Sequence, residues 1–420
     1  MAQHNGKAVD FSLAYYSSDR KTGAISIVSR SAGETTVQPL TVLPESGLDK
    51  AAKPVLVGVT GQRDVVVLDP RTKALSLLPG LPGDGFPAHV YSDPSSNRDW
   101  FMNDGDKETG NDVLNCGDNG SSVTVVENTA SADARFLATI CVGRGHHQAN
   151  FTFPSDTAPD VPATAYISNL KDGTLTAIGN DPANPDTYLK VIATINLCEP
   201  DKEEGMTAPA VPNHAFPHGL VYSKVTGKLY NLNNGYGTIA VIDPRTNTIE
   251  SRVSAKGFSN LFASPCGRYV FCRGADRKSD PDHVVAKLAV MDAATLEVLE
   301  SVDLADIYIS KYFFNPEGGK LYLTTSTSGS PEQQANLKHD ALLVFDLGAL
   351  PRLQLTREVR LGTPAGTLDF VVKAGRTELV LSSNSDEGAV AVICGRTEAV
   401  LEKIPVTDGQ PHSRLWLLPQ

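Results

Sequence analysis

A unit of four short β-strands that recurs every ~40 to 50 residues predicts that this chain folds as an all-β protein, a seven- or eight-bladed β-propeller. The clearest copy, residues 218–253, reads HGLVYSKVTGKLYNLNNGYGTIAVIDPRTNTIESRV, with apolar strands separated by turns rich in Gly, Asn and Pro. No amphipathic helical run of useful length interrupts the pattern. Because large all-β folds often form one unit, we predict a single propeller domain over residues 1–420.

The strand clusters determine the predicted number of blades. They lie at 12–42, 55–80, 89–141, 147–197, 218–254, 259–303, 309–361 and 367–406. This gives eight blades, or seven if the short 12–80 region forms only one. The tail HSRLWLLPQ supplies a further strand, which we expect to pair beside the N-terminal strands FSLAYY and AISIVS. Such pairing would close the ring and remove its open edges.

The composition excludes several classes of function. The net charge is −11 and no basic run is present, so the surface repels nucleic acid and anionic membranes. No stretch approaches the ~20 apolar residues of a membrane helix. The N-terminus, MAQHNGKAVDFSLAYY, lacks the features of an export signal, so we expect a cytoplasmic protein unless this is a mature periplasmic or secreted form. The expected partner is a small-molecule substrate, and the sequence does not indicate an oligomeric state.

The histidines concentrate at one predicted end of the channel. In a blade of alternating strands, the entry to the innermost strand and the loop between the second and third strands share one face. Five histidines precede or open innermost strands, namely His89, His146, His147, His218 and His412. Three more fall in the connecting loops of the same face, namely His214, His283 and His339.

Neutral imidazole is the commonest protein ligand for copper, zinc and iron. We therefore predict a metal site formed by the five strand-entry histidines, with the three loop histidines as possible additional ligands. The alternative is that each histidine only caps backbone groups or lines a wet channel. Aligning the VYS segments of two blades shifts His89 relative to His218, and His146 competes with His147 for the inward position.

Other candidate groups map to the same end. Glu203 and Glu204 could transfer protons, although a plain charge run is the favoured interpretation. Cys116, Cys141 and Cys198 could ligate metal, or two of them could pair; without a CxxC motif a structural zinc site is not expected. The remaining cysteines, at 266, 272 and 394, are expected to be buried and inert. The chain has no GxSxG, P-loop or HExxH motif, and no catalytic residue is assigned.

The segments AVIDPRTNTIESRV and LYNLNNGYGTIAVID resemble the YVTN-type propeller repeat of surface-layer and lactonase-like proteins. The resemblance covers 217–406 well and the rest loosely. It implies the fold but not the activity, because propellers support many unrelated functions. The segment GRGHHQANFTFP, followed by SNLKDG, resembles the His-bearing propeller blade of nitrous oxide reductase. That resemblance implies copper, although this chain lacks an appended cupredoxin-like domain.

Together these features favour a metal-dependent propeller enzyme, a copper-dependent oxidoreductase acting on a small molecule, with iron or zinc as alternative metals. One alternative is a non-catalytic metal carrier or YVTN-type binding scaffold. The other is a lactonase-like hydrolase, for which we would expect acidic ligands and few histidines.

Overall fold

The computed structural model describes residues 9–19, 22–44, 56–59, 65–69, 71–78, 87–103, 116, 120–127 and 134–419. Within them the chain forms strands joined by turns, with one short α-helix, α1 (Pro331–Asn336), and a 3-10 turn at Pro200–Lys202. Ser330 caps α1 with its side chain, and Gln333 completes a reciprocal capping box. No helix among these residues is long and apolar enough to cross a membrane.

The strands follow one another in short antiparallel meanders. The first fourteen are β1 (Phe11–Ser18), β2 (Thr22–Ser31), β3 (Glu34–Pro44), β4 (Leu56–Val59), β5 (Val65–Leu68), β6 (Leu75–Leu78), β7 (Pro87–Ser92), β8 (Arg98–Asn103), β9 (Ser122–Glu127), β10 (Arg135–Cys141), β11 (His146–Thr152), β12 (Thr164–Asn169), β13 (Thr174–Gly179) and β14 (Val191–Asn196). The remainder are β15 (Pro217–Ser223), β16 (Lys228–Asn233), β17 (Thr238–Asp243), β18 (Thr248–Ser254), β19 (Asn260–Ala263), β20 (Tyr269–Asp276), β21 (Val285–Asp292), β22 (Val298–Ala305), β23 (Ile309–Phe314), β24 (Lys320–Thr325), β25 (Ala341–Asp346), β26 (Gln354–Arg360), β27 (Ala365–Lys373), β28 (Arg376–Asn384), β29 (Ala389–Cys394), β30 (Val400–Pro405) and β31 (His412–Leu417).

These strands form eight sheets in the described part of the chain, seven with four strands and one, β4-β5-β6, with three. Six of the four-stranded sheets contain consecutive strands, from β7–β10 to β27–β30. The first strands of neighbouring sheets contact one another, which places them innermost. The predicted propeller is confirmed. Of the two predicted blade numbers the structure has eight, because the 12–80 region forms two sheets.

The C-terminal strand closes the ring as predicted. Strand β31 pairs antiparallel with β1, from Leu13 opposite Leu417 to Ser18 opposite His412, and gives the sheet order β3-β2-β1-β31. Trp416 is buried in an apolar cluster with Tyr16 of β1. The two ends of the chain therefore share one blade.

The hydrophobic core lies between adjacent sheets rather than within one of them. One apolar cluster joins Leu175 of β13 to Tyr222 of β15, and another joins Phe271 of β20 to Leu323 of β24. Strands such as β13 and β29 are buried along their whole length, which explains their continuous small and apolar sequences TLTAIG and AVAVIC. In the outermost strand β18 only Ile249 and Val253 are half-buried, and the other residues are exposed.

Polar side chains from one blade hydrogen-bond the inner strand of the next blade. These bonds use backbone groups on the inner edge of each sheet, which has no neighbouring strand. The bonded pairs are Gln148 and Asn150 with Leu220, His218 with Ser259, Arg273 with Ile309, Lys311 with Gly366, Thr367 with Leu415, and Asp369 with Leu417. Neighbouring blades are thus joined at the channel wall as well as through the core.

Candidate functional site

The end of the ring at which the innermost strands begin is called here the histidine end, after the five histidines His89, His146, His147, His218 and His412. The first two residues of β11 are His146 and His147, His412 opens β31, His218 is second in β15, and His89 is third in β7. Each blade delivers its histidine from a different part of the sequence. The side chains of His146 and His147 lie outside the described part of the structure.

Irregular strand pairing accompanies these histidines. The register of β11 with β12 shifts between His146 and Ala149, that of β15 with β16 between Pro217 and Leu220, and that of β7 with β8 between Pro87 and His89. A bulge breaks the alternation of side chains and turns a residue in a new direction. The bulges in β7 and β15 therefore affect where His89 and His218 point.

His218 has a defined ring orientation. Its Nδ1 lies 2.7 Å from the carbonyl oxygen of Ser259, at the entry to the next blade, and Asn234 also donates to that oxygen. A carbonyl only accepts, so Nδ1 carries the hydrogen, and Nε2 holds the lone pair when the ring is neutral. Metal-bound imidazoles are commonly oriented by such a bond from the other ring nitrogen.

The three loop histidines have separate partners. His214 Nδ1 lies 2.6 Å from Glu203, His283 Nδ1 lies 2.7 Å from Asp306, and His339 Nδ1 lies 3.1 Å from the carbonyl oxygen of Leu337. The described side chains contain no group of three or more His, Cys, Asp or Glu placed to hold a metal ion. A site with three such ligands at the histidine end would therefore have to include a side chain outside the described part of the structure, such as that of His146 or His147.

Glu203 is part of a buried hydrogen-bond cluster that the sequence did not suggest. The residue is only 8% exposed, and its carboxylate accepts bonds from the backbone and ring of His214 and from the Tyr236 hydroxyl. The preferred prediction of a solvated charge run is wrong for Glu203 but holds for its exposed neighbour Glu204. The His214 side chain remains 73% exposed above this carboxylate, so the cluster presents one oriented imidazole to solvent.

Replacing Glu203 is expected to remove a pH-dependent part of the stability. Hydrogen bonds from Tyr236 and His214 lower the pKa of Glu203 from 4.5 to about 2. A carboxyl whose pKa is lower in the folded state stabilises the fold above its unfolded pKa, and this contribution is lost as the pH falls from about 4.5 towards 2. Glu203→Gln should melt below wild type at pH 7, with a gap that shrinks below pH 4.5. Glu204→Gln is the control, and a gap that stays constant with pH would contradict the assignment.

Two of the cysteines pair. Cys116 and Cys141 form a disulfide, which links the loop after β8 to the end of β10. Cys198 is buried and unpaired. Cys272 and Cys394 are buried as predicted, whereas Cys266 is exposed in the turn after β19, contrary to prediction. The disulfide removes Cys116 and Cys141 from the candidate metal ligands.

Two tyrosines lie on inner strands at opposite sides of the ring. Tyr91 lies on β7 of the third sheet and Tyr312 on β23 of the seventh. Burial raises the pKa of Tyr91, and the Tyr312 phenol raises it further. Tyr312 stacks on Phe262, and it lines a cavity of about 290 Å³ that reaches the turn at Ser264.

Three solved structures have a similar fold. The dihydro-heme d1 dehydrogenase NirN, in complex with DHE, has a TM-score of 0.58 at 11% identity, over 98% of this chain and 76% of its own. The periplasmic gluconolactonase PpgL of Pseudomonas aeruginosa has a TM-score of 0.55 at 12% identity, over 98% and 99%. A protein from Lactobacillus plantarum has a TM-score of 0.52 at 15% identity, over 97% and 100%.

At these identities the likeness establishes the propeller fold alone. The chain matches no protein-family model, and no curated protein matches its sequence. The narrower resemblances to the YVTN-type repeat and to the nitrous oxide reductase blade stay predictions.

Proposed function

We propose that this chain is a metal-dependent enzyme whose metal is held by imidazoles at the histidine end. The observation that carries the proposal is the bond from His218 Nδ1 to the Ser259 carbonyl, which leaves the lone pair of the neutral ring on Nε2. His147 would supply a second nitrogen from β11, and His89, His146 or His412 would complete the set from their own strands.

The donor set decides which metal fits. The strand-entry candidates are all imidazoles, which suit copper first and iron or zinc next. When bound, such a metal acts on a small substrate as a redox centre or as a Lewis acid. The chain's own contribution is to orient the imidazoles, as the Ser259 carbonyl does for His218.

Metal titration of the purified, metal-free full chain tests the proposal. We expect stoichiometric copper binding, with an electron paramagnetic resonance signal from imidazole nitrogens. His218→Ala and His147→Ala should each weaken copper binding at least ~10-fold, a loss of ~1.4 kcal/mol in binding free energy. His283→Ala is the control, because its exposed ring bonds Asp306 and belongs to a blade that carries neither His147 nor His218. A wild-type protein that binds no copper, iron or zinc, or ligand variants that bind like the control, would overturn the proposal.

A lactonase-like hydrolase is the second candidate, supported by the structural similarity to the gluconolactonase PpgL along nearly the whole of both chains. An assay of sugar-lactone hydrolysis distinguishes this hydrolase from the metal-dependent enzyme. Proton release is measured before and after a chelator removes the metal. Lactone turnover that survives removal of the metal favours this hydrolase. Tight metal binding without turnover of lactones or redox substrates favours a carrier.

We also infer an oxidising compartment for the mature protein. Disulfides persist in periplasmic and secreted proteins and are rare in the cytoplasm, so the Cys116–Cys141 bond supports the exported alternative. Alkylation of unreduced protein from its native source, followed by mass spectrometry, would leave these two cysteines unlabelled if the inference is right.

A further inference from the structure

The innermost strands carry a charge opposite in sign to that of the whole protein. The chain has a net charge of −11. Among the described first strands and the closing strand, the basic residues are Lys311, Lys373, Arg414 and the five histidines of the histidine end, and the acidic residue is Asp369. Lys373 ends β27 and thus lies at the other end of the ring. Apart from the histidines, the inner strands at the histidine end thus carry two cations, Lys311 and Arg414, against one carboxylate, although the whole protein is acidic.

The cationic groups lie on three of four consecutive blades. Arg273 reaches from β20 to the next blade, where its Nη1 donates to the Ile309 carbonyl at 2.8 Å. Two residues further on, Lys311 reaches to the following blade and donates to the Gly366 carbonyl at 2.6 Å. Arg414 lies on β31, the next inner strand in order. One side of the histidine end therefore carries these cations, and β7, β11 and β15 bring His89, His146, His147 and His218 to the other side.

The acidic residue of these strands does little to offset the cations. Burial raises the pKa of Asp369. Its two carboxylate oxygens accept the backbone N–H groups of Phe370 and Leu417, at 2.8 Å each. The carboxylate of Asp369 therefore holds β27 to β31 of the neighbouring blade.

Arg273 has an unused donor. Its Nε is buried and has no hydrogen-bond acceptor among the described residues. A buried donor left without an acceptor is costly, and more so on a charged group. An anionic oxygen in the channel would satisfy it, because a guanidinium binds carboxylates and phosphates through its fixed set of N–H groups.

We infer that the histidine end binds a small oxyanion, a carboxylate or phosphate group, on the side formed by Arg273, Lys311 and Arg414. Arg273 Nε donates to the anion, and Lys311 and Arg414 supply positive charge. The inference deepens the proposed function by naming its substrate class, and it rests on that function for the reaction that the anion undergoes.

Calorimetric titration of the metal-free full chain with malonate and with inorganic phosphate, at constant ionic strength in chloride, tests the binding. We expect one saturable site for at least one anion, and the tighter of the two identifies the preferred group. Lys311→Met should weaken binding at least ~10-fold, and Lys311→Arg, which keeps the charge, should retain most of it. Arg273→Lys keeps the charge but removes the Nε donor, so it should also weaken binding. The control is Lys403→Met, on the outer strand β30 beside Glu387.

The outcomes separate this inference from the metal proposal. Absence of saturable binding by either anion, or a Lys403→Met protein as weakened as Lys311→Met, overturns the inference. Because Lys311→Met can also loosen a blade junction, a melting curve is measured for every variant. If Lys311→Met fails to fold, the anion affinity of Arg273→Lys tests the inference in its place. Anion binding that persists in a protein unable to bind metal supports the inference and refutes the proposed function. Metal binding without anion binding supports the proposed function and refutes the inference.

Discussion

A chain truncated after Gln410 is expected to lose its folded monomer. The missing segment includes β31 and buries Leu415, Trp416 and Leu418 against the N-terminal blade and its neighbours. Burial of each such side chain contributes about 1.5–3 kcal/mol, so the loss is roughly 5–9 kcal/mol. A typical folding free energy is only about 5–15 kcal/mol in total. The edge of β1 would also become open to pairing with another chain.

Size-exclusion chromatography and circular dichroism measure this effect. A chain lacking only residues 419 and 420, beyond the last paired strand, is the control and should behave as wild type. A circular permutant that begins at residue 410 and joins residue 420 to the N-terminus offers a sharper test. It keeps the order β31-β1-β2-β3 as one continuous blade, and we expect it to fold. A truncated chain that stays monomeric with wild-type melting would contradict the expectation.

Phe262→Ala is expected to destabilise the protein by about 3–5 kcal/mol, the usual cost of removing a buried aromatic ring. Phe262 is 1% exposed on the short inner strand β19. It stacks between Phe271 at 5.0 Å and Tyr312 at 3.9 Å, measured between ring centroids. Losing it leaves a cavity between two blades and frees the Tyr312 ring in the channel.

Urea unfolding measures the change in free energy. Phe136→Ala, at a ring that is 44% exposed on the outer strand β10, is the matched control and should change stability by at most about 0.5 kcal/mol. Phe262→Leu should lose less than Phe262→Ala, since it leaves a smaller cavity. Equal losses for Phe136→Ala and Phe262→Ala would mean that the inner aromatic stack does not stabilise the ring.

The fold could be predicted because its unit is local. Each blade is a run of four strands joined by short turns, so its pattern is complete within a few dozen residues. In the fifth sheet, the letters KLYNLN, TIAVID and TIESRV mark strands β16, β17 and β18 almost to the residue. The long-range closure was also predictable, because a single leftover strand at the C-terminus had one open edge to join.

The site was harder to predict because its contacts cross blades. Nothing near Glu203 in the sequence indicates that Tyr236 would bond its carboxylate, or that Arg273 would reach Ile309. The bulges add a second difficulty, since a one-residue shift changes where a histidine points. This is why the sequence leaves the register of His89 relative to His218 open, and why it predicts an end for the histidines but not the geometry of a ligand set.

The side chains that bridge neighbouring inner strands limit how this protein can change during evolution. His218, Arg273 and Lys311 each bond the backbone of the next blade, and they are also the groups proposed to meet a ligand. Mutations of these residues that alter ligand preference would therefore also weaken the contact between two neighbouring blades. New specificities should arise more readily through loops that do not bond a neighbouring blade, since loops tolerate change better than the strands they connect.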